Sequence, residues 1–522
     1  MAVKTRSRTT NTIINFASSI GGQLISVAVN FVVRTVFIKT LGKDYLGIDG
    51  LFANILQMLS LAEFGVGSAI IFKLYEPIAQ GNHQRITQLM NFYKTMYRII
   101  GCIVLAIGLL LIPFLPLLIN GYDDLANLGI NVILVFTLYL MQTVSSYWFF
   151  AYKNAIISAN QKEYIITFVG YLFTVCSAIV RIVTLLFIGR FEVYVTIAIV
   201  AVIGQNFVCA RIAQKMYPYI SDPVEENVGK EELKSTLKDC GALFLYKLNT
   251  VVLKATDNIV ISACIGLGAV ASYSNYYILY TTINTFIYKI FNAVAHSLGN
   301  LHTTKDTKRE YSVFESVMLI CAVLGGTMGV CIAAVSDELI QAWIGDEWMI
   351  ASPFAILMGV ELFSMPYKSA LSKYRSTMGL FQQAKFRPVA GMIINLMLSI
   401  ILVQFWGICG VLLGTIVADW STLLWFDPII VHKHGFNNEF PVKKYFIKFI
   451  LNFATVVIVG AFDIIICSNF WGGHGWLSVI VHGCICGITV PAALLAVNAR
   501  RQEGKYIFRL ITKVFRRKSG VK

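Results

Sequence analysis

Apolar residues run through the chain in blocks of about twenty or more, the length a helix needs to cross a bilayer core of roughly 30 Å. The blocks fall at 12–38, 46–72, 94–118, 128–151, 163–188, 192–216, 240–264, 269–296, 311–335, 348–370, 385–405, 407–430, 445–467 and 475–498. This pattern predicts an all-α polytopic membrane protein with about fourteen transmembrane helices.

The short polar intervals test that expectation independently, because alternate loops of a membrane protein differ in lysine and arginine. One set holds Lys73, Arg85, Lys94 and Arg98; Lys153 and Lys162; Lys305, Lys308 and Arg309; Lys368, Lys373, Arg375, Lys385 and Arg387; and Lys433, Lys443 and Lys444. The other set is acidic, with Asp123 and Asp124, then Asp337, Glu338, Asp346 and Glu347. Both termini join the basic set. They are therefore expected in the cytoplasm, with an even number of spans between them. Lys4, Arg6 and Arg8 precede an apolar stretch that runs on to about Phe37 without a convincing cleavage site, so it reads as an uncleaved first helix.

Composition agrees. The 522 residues are 57% hydrophobic and 14% charged, whereas an ordinary soluble domain is about a quarter charged. The net charge of +15 is spread over loops rather than gathered on one soluble face, which argues against nucleic acid as a partner. The 11 cysteines lie mostly within apolar blocks without metal-ligand spacing and read as small buried hydrophobes.

The longest polar interval, Tyr219 to Asp239, separates six predicted helices from eight. The expected organisation is an N-lobe at 1–218, a cytoplasmic linker at 219–239, a C-lobe at 240–435, helices thirteen and fourteen at 436–499, and a basic cytoplasmic tail at 500–522. A faint repeat supports the division: Phe37-Ile38-Lys39-Thr40-Leu41-Gly42 ends the first helix, and Ile261-Ser262-Ala263-Cys264-Ile265-Gly266 ends the seventh. In the tail, Lys505, Arg509, Lys513, Arg516 and Arg517 alternate with apolar residues at helical spacing, a membrane-surface pattern.

Polar side chains inside spans are the informative ones, since a charge at a helix centre costs about 2.5–3.5 kcal/mol on insertion scales. In the first helix Asn15, Ser19, Gln23, Ser26, Asn30 and Arg34 share one face. In the seventh, Lys247, Thr250, Lys254, Asp257 and Asn258 do the same. Arg34 and Asp257 precede the two glycine turns at similar depth and are candidates to pair; binding a cation at Asp257 would break such a pair. Glu63, Arg181, Lys289, Glu361, Asp419 and Asp463 are further intramembrane charges, with Lys289 and Asp419 near enough to span ends to snorkel. Tyr273, Tyr277 and Tyr280 form a column on the eighth helix, continuing toward Asn284 and Tyr288, that suits either sugar or an interfacial belt. No Walker loop, nucleophile elbow or H-E-x-x-H motif is present, so neither ATP hydrolysis nor other enzymatic activity is expected.

Phe37-Ile38-Lys39-Thr40-Leu41-Gly42-Lys43-Asp44-Tyr45-Leu46-Gly47, Glu63-Phe64-Gly65-Val66-Gly67-Ser68-Ala69 and Gly407-Ile408-Cys409-Gly410-Val411 carry a resemblance. At these residues the chain resembles the polysaccharide transporter (Wzx-type) family of the multidrug/oligosaccharidyl-lipid/polysaccharide (MOP) exporter superfamily. The resemblance implies two pseudo-symmetric six-helix lobes in a MATE- and MurJ-like arrangement, plus a C-terminal helix pair. It further implies a flippase that moves undecaprenyl-pyrophosphate-linked oligosaccharides across a bacterial cytoplasmic membrane for capsule, exopolysaccharide or O-antigen. Polymerase and co-polymerase proteins are the implied partners. Such a transporter needs no cofactor and runs on a proton or sodium gradient. On this view Arg34, Lys247, Lys254 and Arg181 receive pyrophosphate, the tyrosine column receives sugar, and Asp257, Glu63 and Glu361 are candidates for ion coupling. A lipid II flippase or multidrug exporter on the same fold, a membrane glycan polymerase and a non-transporting scaffold are the alternatives.

Overall fold

The computed structural model describes residues 8–63, 66–127, 129–223, 255–303, 306–350, 353–380, 382–384, 386–470, 475–506 and 508. Among these residues the chain is helical, with no strand. In chain order the main rods are α1 (Arg8–Leu41), α2 (Lys43–Leu59 and Val66–Gln80, joined through Ser60–Glu63), α3 (His83–Leu111) and α4 (Val132–Trp148 and Asn154–Ala159). They are followed by α5 (Glu163–Phe187), α6 (Phe191–Met216), α7 (255–264), α8 (Leu267–Thr303), α9 (Thr307–Ile344) and α10 (Pro353–Thr377). The last four are α11 (387–406), α12 (408–435), α13 (Val442–Phe470) and α14 (Trp476–Asn498). Among the described residues, fourteen rods thus occupy the fourteen apolar blocks, the seventh over 255–264 alone.

Among the described residues, eight helices are long and apolar enough to cross a membrane by themselves, and the two parts of α4, bent by 43°, make a ninth. That tally takes 387–435 as one span. Gly407 divides it, with φ 55° and ψ −133°, a conformation that excludes a Cβ. The two halves fold back on each other: Asn395 Nδ2 donates to Thr415 Oγ1 at 2.8 Å, and Ser399 Oγ donates to the Val411 carbonyl at 3.4 Å. A Cβ on Gly410 would lie 2.1 Å from the Leu402 carbonyl oxygen, so glycine sets the approach of α11 and α12.

Large apolar side chains lie open along the rods, including Leu110 at 70%, Phe187 at 84%, Ile458 at 70% and Ile488 at 70% exposure. Water would not tolerate so much apolar surface on a folded chain, but hydrocarbon does. The protein is a multi-pass membrane protein.

The chain divides into two compact units, Met1–Ala271 and Ser272–Lys522. The expected linker lies largely outside the described residues, which stop at 223 and resume at 255. In the first unit α1 packs on α5, α5 on α6, and α6 on α4. The end of α7 is fastened to the end of the third span: Ser262 Oγ donates to the Leu118 carbonyl at 2.8 Å, and the Asn120 amide donates to the Ser262 carbonyl at 3.2 Å. Gly42 and Gly266, the ends of the faint repeat, both turn the chain with positive φ, 89° and 127°.

In the second unit α9 is central, packed against α10, α13 and α14. Its contact with α10 is backbone to backbone: a Cβ on Gly329 would stand 2.5 Å from the Gly359 carbonyl oxygen, and one on Gly325 2.3 Å from that of Phe363. Small residues four apart allow this crossing, the same device that joins helices where lipid offers no hydrophobic drive.

Candidate functional site

Each unit encloses a cluster of polar side chains between its helices. In the first unit, five spans contribute. Arg34 of α1 faces Asp49 of α2 and Tyr194 of α6. Tyr139 of α4 donates its hydroxyl to the Asp49 carboxylate. The Arg181 guanidinium of α5 lies 4.7 Å from the Tyr194 ring centroid, a cation–π stack, and donates to the Tyr194 hydroxyl. Phe37 packs edge to face against both Phe191 and Tyr194 beside this cluster. Two guanidiniums thus meet at Tyr194, with the Asp49 carboxylate facing Arg34, in a mostly apolar setting. Arg181 Nε is buried without a hydrogen-bond acceptor, and a buried donor left unmade costs about 1–3 kcal/mol, more when charged. Such a donor is suited to an incoming anion.

A second polar chain in the first unit ends at Glu63, where the 3₁₀ turn Ser60–Glu63 breaks α2. Tyr97 donates to the Glu63 carboxylate and Tyr93 donates to Tyr97 at 2.7 Å. Tyr147 makes another hydrogen bond to Glu63. The carboxylate is therefore held by hydroxyls drawn from α3 and α4. The neighbouring Phe64 and Gly65, part of the segment that carries the resemblance, lie outside the described residues.

The second unit brings the tyrosine column to a charge triad. Tyr273 and Tyr277 stack with ring centroids 5.6 Å apart at 19°, and Tyr277 and Tyr280 at 5.4 Å and 18°. Tyr280 Oη then donates to Glu361 at 3.1 Å. Lys368 Nζ donates to Glu361 and, at 2.6 Å, to Asp419 of α12. Glu361 is 3% exposed, Lys368 12% and Asp419 17%. One ammonium between two carboxylates leaves a net negative charge, the condition under which a proton or metal cation is attracted. Tyr276, on another face of α8, donates instead to Asp337 at 2.6 Å, and Tyr288 lies under the Lys373 ammonium at 5.0 Å.

Of the residues expected from sequence, Arg34 and Arg181 come together, and so do Tyr273, Tyr277, Tyr280 and Glu361. Asp257 is buried at 4% exposure in α7. Lys247, Thr250 and Lys254 lie outside the described residues, as does the tail from 509 onward. Two expectations change. Lys368, assigned above to a basic loop, sits inside α10, where two helical turns place it on the same face as Glu361. Asp419 does not snorkel from a span end but answers Lys368. Arg375 and Arg387, also assigned to that loop, are buried around Asp427 at 3.6 and 3.3 Å. Asp49 and Asp427 were not anticipated, since only the tertiary fold reveals Arg34 beside the first and Arg375 and Arg387 beside the second.

Neither a family model nor a curated protein matches this sequence. Solved structures do match. The lipid II flippase MurJ in an inward closed conformation superposes with a TM-score of 0.65 at 15% identity, covering 94% of this chain and 99% of its own. An inward-facing multidrug resistance MATE family transporter of the MOP superfamily gives 0.52 at 15% identity, covering 80% and 96%. A MATE structure in the bent conformation gives 0.51 at 14%, covering 85% and 99%. The fold is that of MurJ and the MATE transporters. At this identity the likeness establishes the MurJ/MATE-like architecture and leaves the cargo to be argued from the two clusters.

Proposed function

We propose that this chain is a flippase translocating polyprenyl-pyrophosphate-linked oligosaccharide units across a bacterial cytoplasmic membrane by ion-driven alternating access, without catalysing a bond change. The observation that carries the reading is the intramembrane guanidinium pair, Arg34 and Arg181, with one buried Nε lacking an acceptor. A pyrophosphate offers the charge and the acceptor oxygens that this donor lacks, and arginine binds phosphate with fixed geometry. A drug exporter with cationic substrates would place carboxylates, not arginines, at such a depth. MurJ, whose cargo is lipid-linked, spans 94% of the chain against 80% for the MATE transporter, which also supports a lipid-linked substrate.

The remaining polar groups fit a division of labour. The stacked faces of Tyr273, Tyr277 and Tyr280 suit sugar rings. A cation arriving at Glu361 or Asp419 competes with Lys368 for the carboxylates, and the displaced ammonium must find a new partner. That change of pairing biases α10 against α12 and so couples ion binding to a conformational step. Glu63 and Asp257 are proposed as further coupling carboxylates, and Lys247 and Lys254 as further phosphate contacts. Polymerase and co-polymerase proteins are proposed partners on the product side.

Proteoliposomes holding the purified protein and a defined polyprenyl-pyrophosphate oligosaccharide test this. Flipping is expected only with a proton or sodium gradient, and strongly reduced in Arg181→Ala. Gradient-independent or absent flipping of every lipid-linked sugar overturns it. Preferential movement of lipid II reassigns the cargo, and elongation of the glycan in the same vesicles would mark a polymerase.

A further inference from the structure

The end at which α13 begins and α14 finishes carries a cavity of about 570 Å³ that the transport reading does not use. Its lining includes Lys443, Lys444, Lys448, Arg500 and Arg501, with Glu315 and Glu503. The two carboxylates are already engaged. Lys444 and Lys448 Nζ lie 2.9 and 2.7 Å from Glu315, and Lys448 lies 2.6 Å from Glu503. Among the described residues no ion pair joins Lys443, Arg500 or Arg501 to a carboxylate; Arg501 is oriented by donating to Asn498 Oδ1 at 3.0 Å. Three basic groups, Lys443, Arg500 and Arg501, thus surround one opening whose two carboxylates, Glu315 and Glu503, are largely buried and already neutralised by Lys444 and Lys448.

The wall of this cavity continues into apolar surface. Ile447, which lines it, is 55% exposed, and Ile450 and Ile458 below it on α13 are 62% and 70% exposed on the same side of the helix. A soluble phosphate has no use for such a stripe, whereas acyl chains do. We propose that this pocket binds the phosphate of an anionic phospholipid headgroup, with the acyl chains lying along α13. Lys443, Arg500 and Arg501 supply charge-assisted donors to the phosphate oxygens, and the position at the ends of two spans matches headgroup depth. Three unneutralised bases favour a two-phosphate headgroup such as cardiolipin over phosphatidylglycerol, and either over zwitterionic phosphatidylcholine.

Native mass spectrometry of the full-length protein, titrated with cardiolipin, phosphatidylglycerol or phosphatidylcholine, tests the site. The triple variant Lys443→Gln, Arg500→Gln, Arg501→Gln is expected to weaken cardiolipin binding by about fivefold or more, with phosphatidylcholine adducts unchanged. Lys308→Gln with Arg309→Gln, exposed bases at the start of α9, should leave it intact. If the triple variant fails to fold, Arg500→Glu, a single exposed change, must show the same loss. Unchanged cardiolipin retention in the folded variants refutes the proposal. So does displacement of the lipid by millimolar inorganic phosphate, which marks a soluble-anion site, or by polyprenyl pyrophosphate at lower concentration, which marks a cargo site.

Discussion

Lys368 balances two carboxylates that would otherwise repel each other between α10 and α12. Replacing it with methionine keeps the bulk and removes the charge, and losing one partner of a buried ion cluster typically costs about 3–5 kcal/mol. Lys368→Met should therefore lower the melting temperature of the purified protein, and adding Glu361→Gln should restore part of it; a second substitution that lowers it further would show the charges are independent. At the other cluster, Arg181→Lys keeps the charge but loses the stack on Tyr194. It should weaken binding of a polyprenyl pyrophosphate about tenfold, or roughly 1.4 kcal/mol, in an equilibrium titration. An unchanged affinity would remove Arg181 from the phosphate contacts. Both arginines were legible in the sequence because a charge inside an apolar block is conspicuous. That they converge on Tyr194 was not, since that needs α1, α5 and α6 to be packed. Lys368 was hidden for a different reason: it lies close to other bases, so the loop-charge pattern absorbed it, although Glu361 stood seven residues away on the same helical face.

The helices themselves were readable from block length, but their breaks were only partly so. Gly407 announced the α11–α12 turn because an apolar run of 49 residues, Arg387–Gly435, exceeds any single span. The bend in α4 and the 3₁₀ segment in α2 follow from tertiary packing, and no glycine or proline in the sequence marks the first. Close helix contacts were visible as glycines four apart, and they make a quantitative expectation. Gly329→Ala would drive a methyl group to within 2.5 Å of the Gly359 carbonyl oxygen, while Gly483→Ala meets nothing within 4 Å. Forcing α9 and α10 apart should cost about 1–3 kcal/mol. Thermal unfolding followed by fluorescence should show a clear loss for the first variant and none for the second. Equal melting temperatures would mean that α9 and α10 can separate without penalty.

If each of the fourteen rods seen among the described residues crosses the bilayer, their order predicts which connections share a side of the membrane. Counting from the first rod, the α2–α3 connection at Asn82, the α8–α9 connection at Asp306 and the α12–α13 connection at Asn438 are expected on one side, and the acidic segments at Asp123 and Asp346 on the other. Lysine and arginine bias predicts that the first set is cytoplasmic. The even count depends on Gly407 making two spans of one apolar run and on α7 crossing beside α3, to whose end it is hydrogen-bonded. If either rod failed to cross, every later connection would change sides. Single cysteines at these five positions, in a chain whose 11 native cysteines are replaced by serine or alanine, read this directly with a membrane-impermeant maleimide on intact cells. Asp123→Cys and Asp346→Cys should be labelled from outside, and Asn82→Cys, Asp306→Cys and Asn438→Cys only after permeabilisation. Labelling of Asp306→Cys from outside with Asn82→Cys protected would place the error between α3 and α8. The same pattern at Asn438→Cys alone would place it at the Gly407 turn.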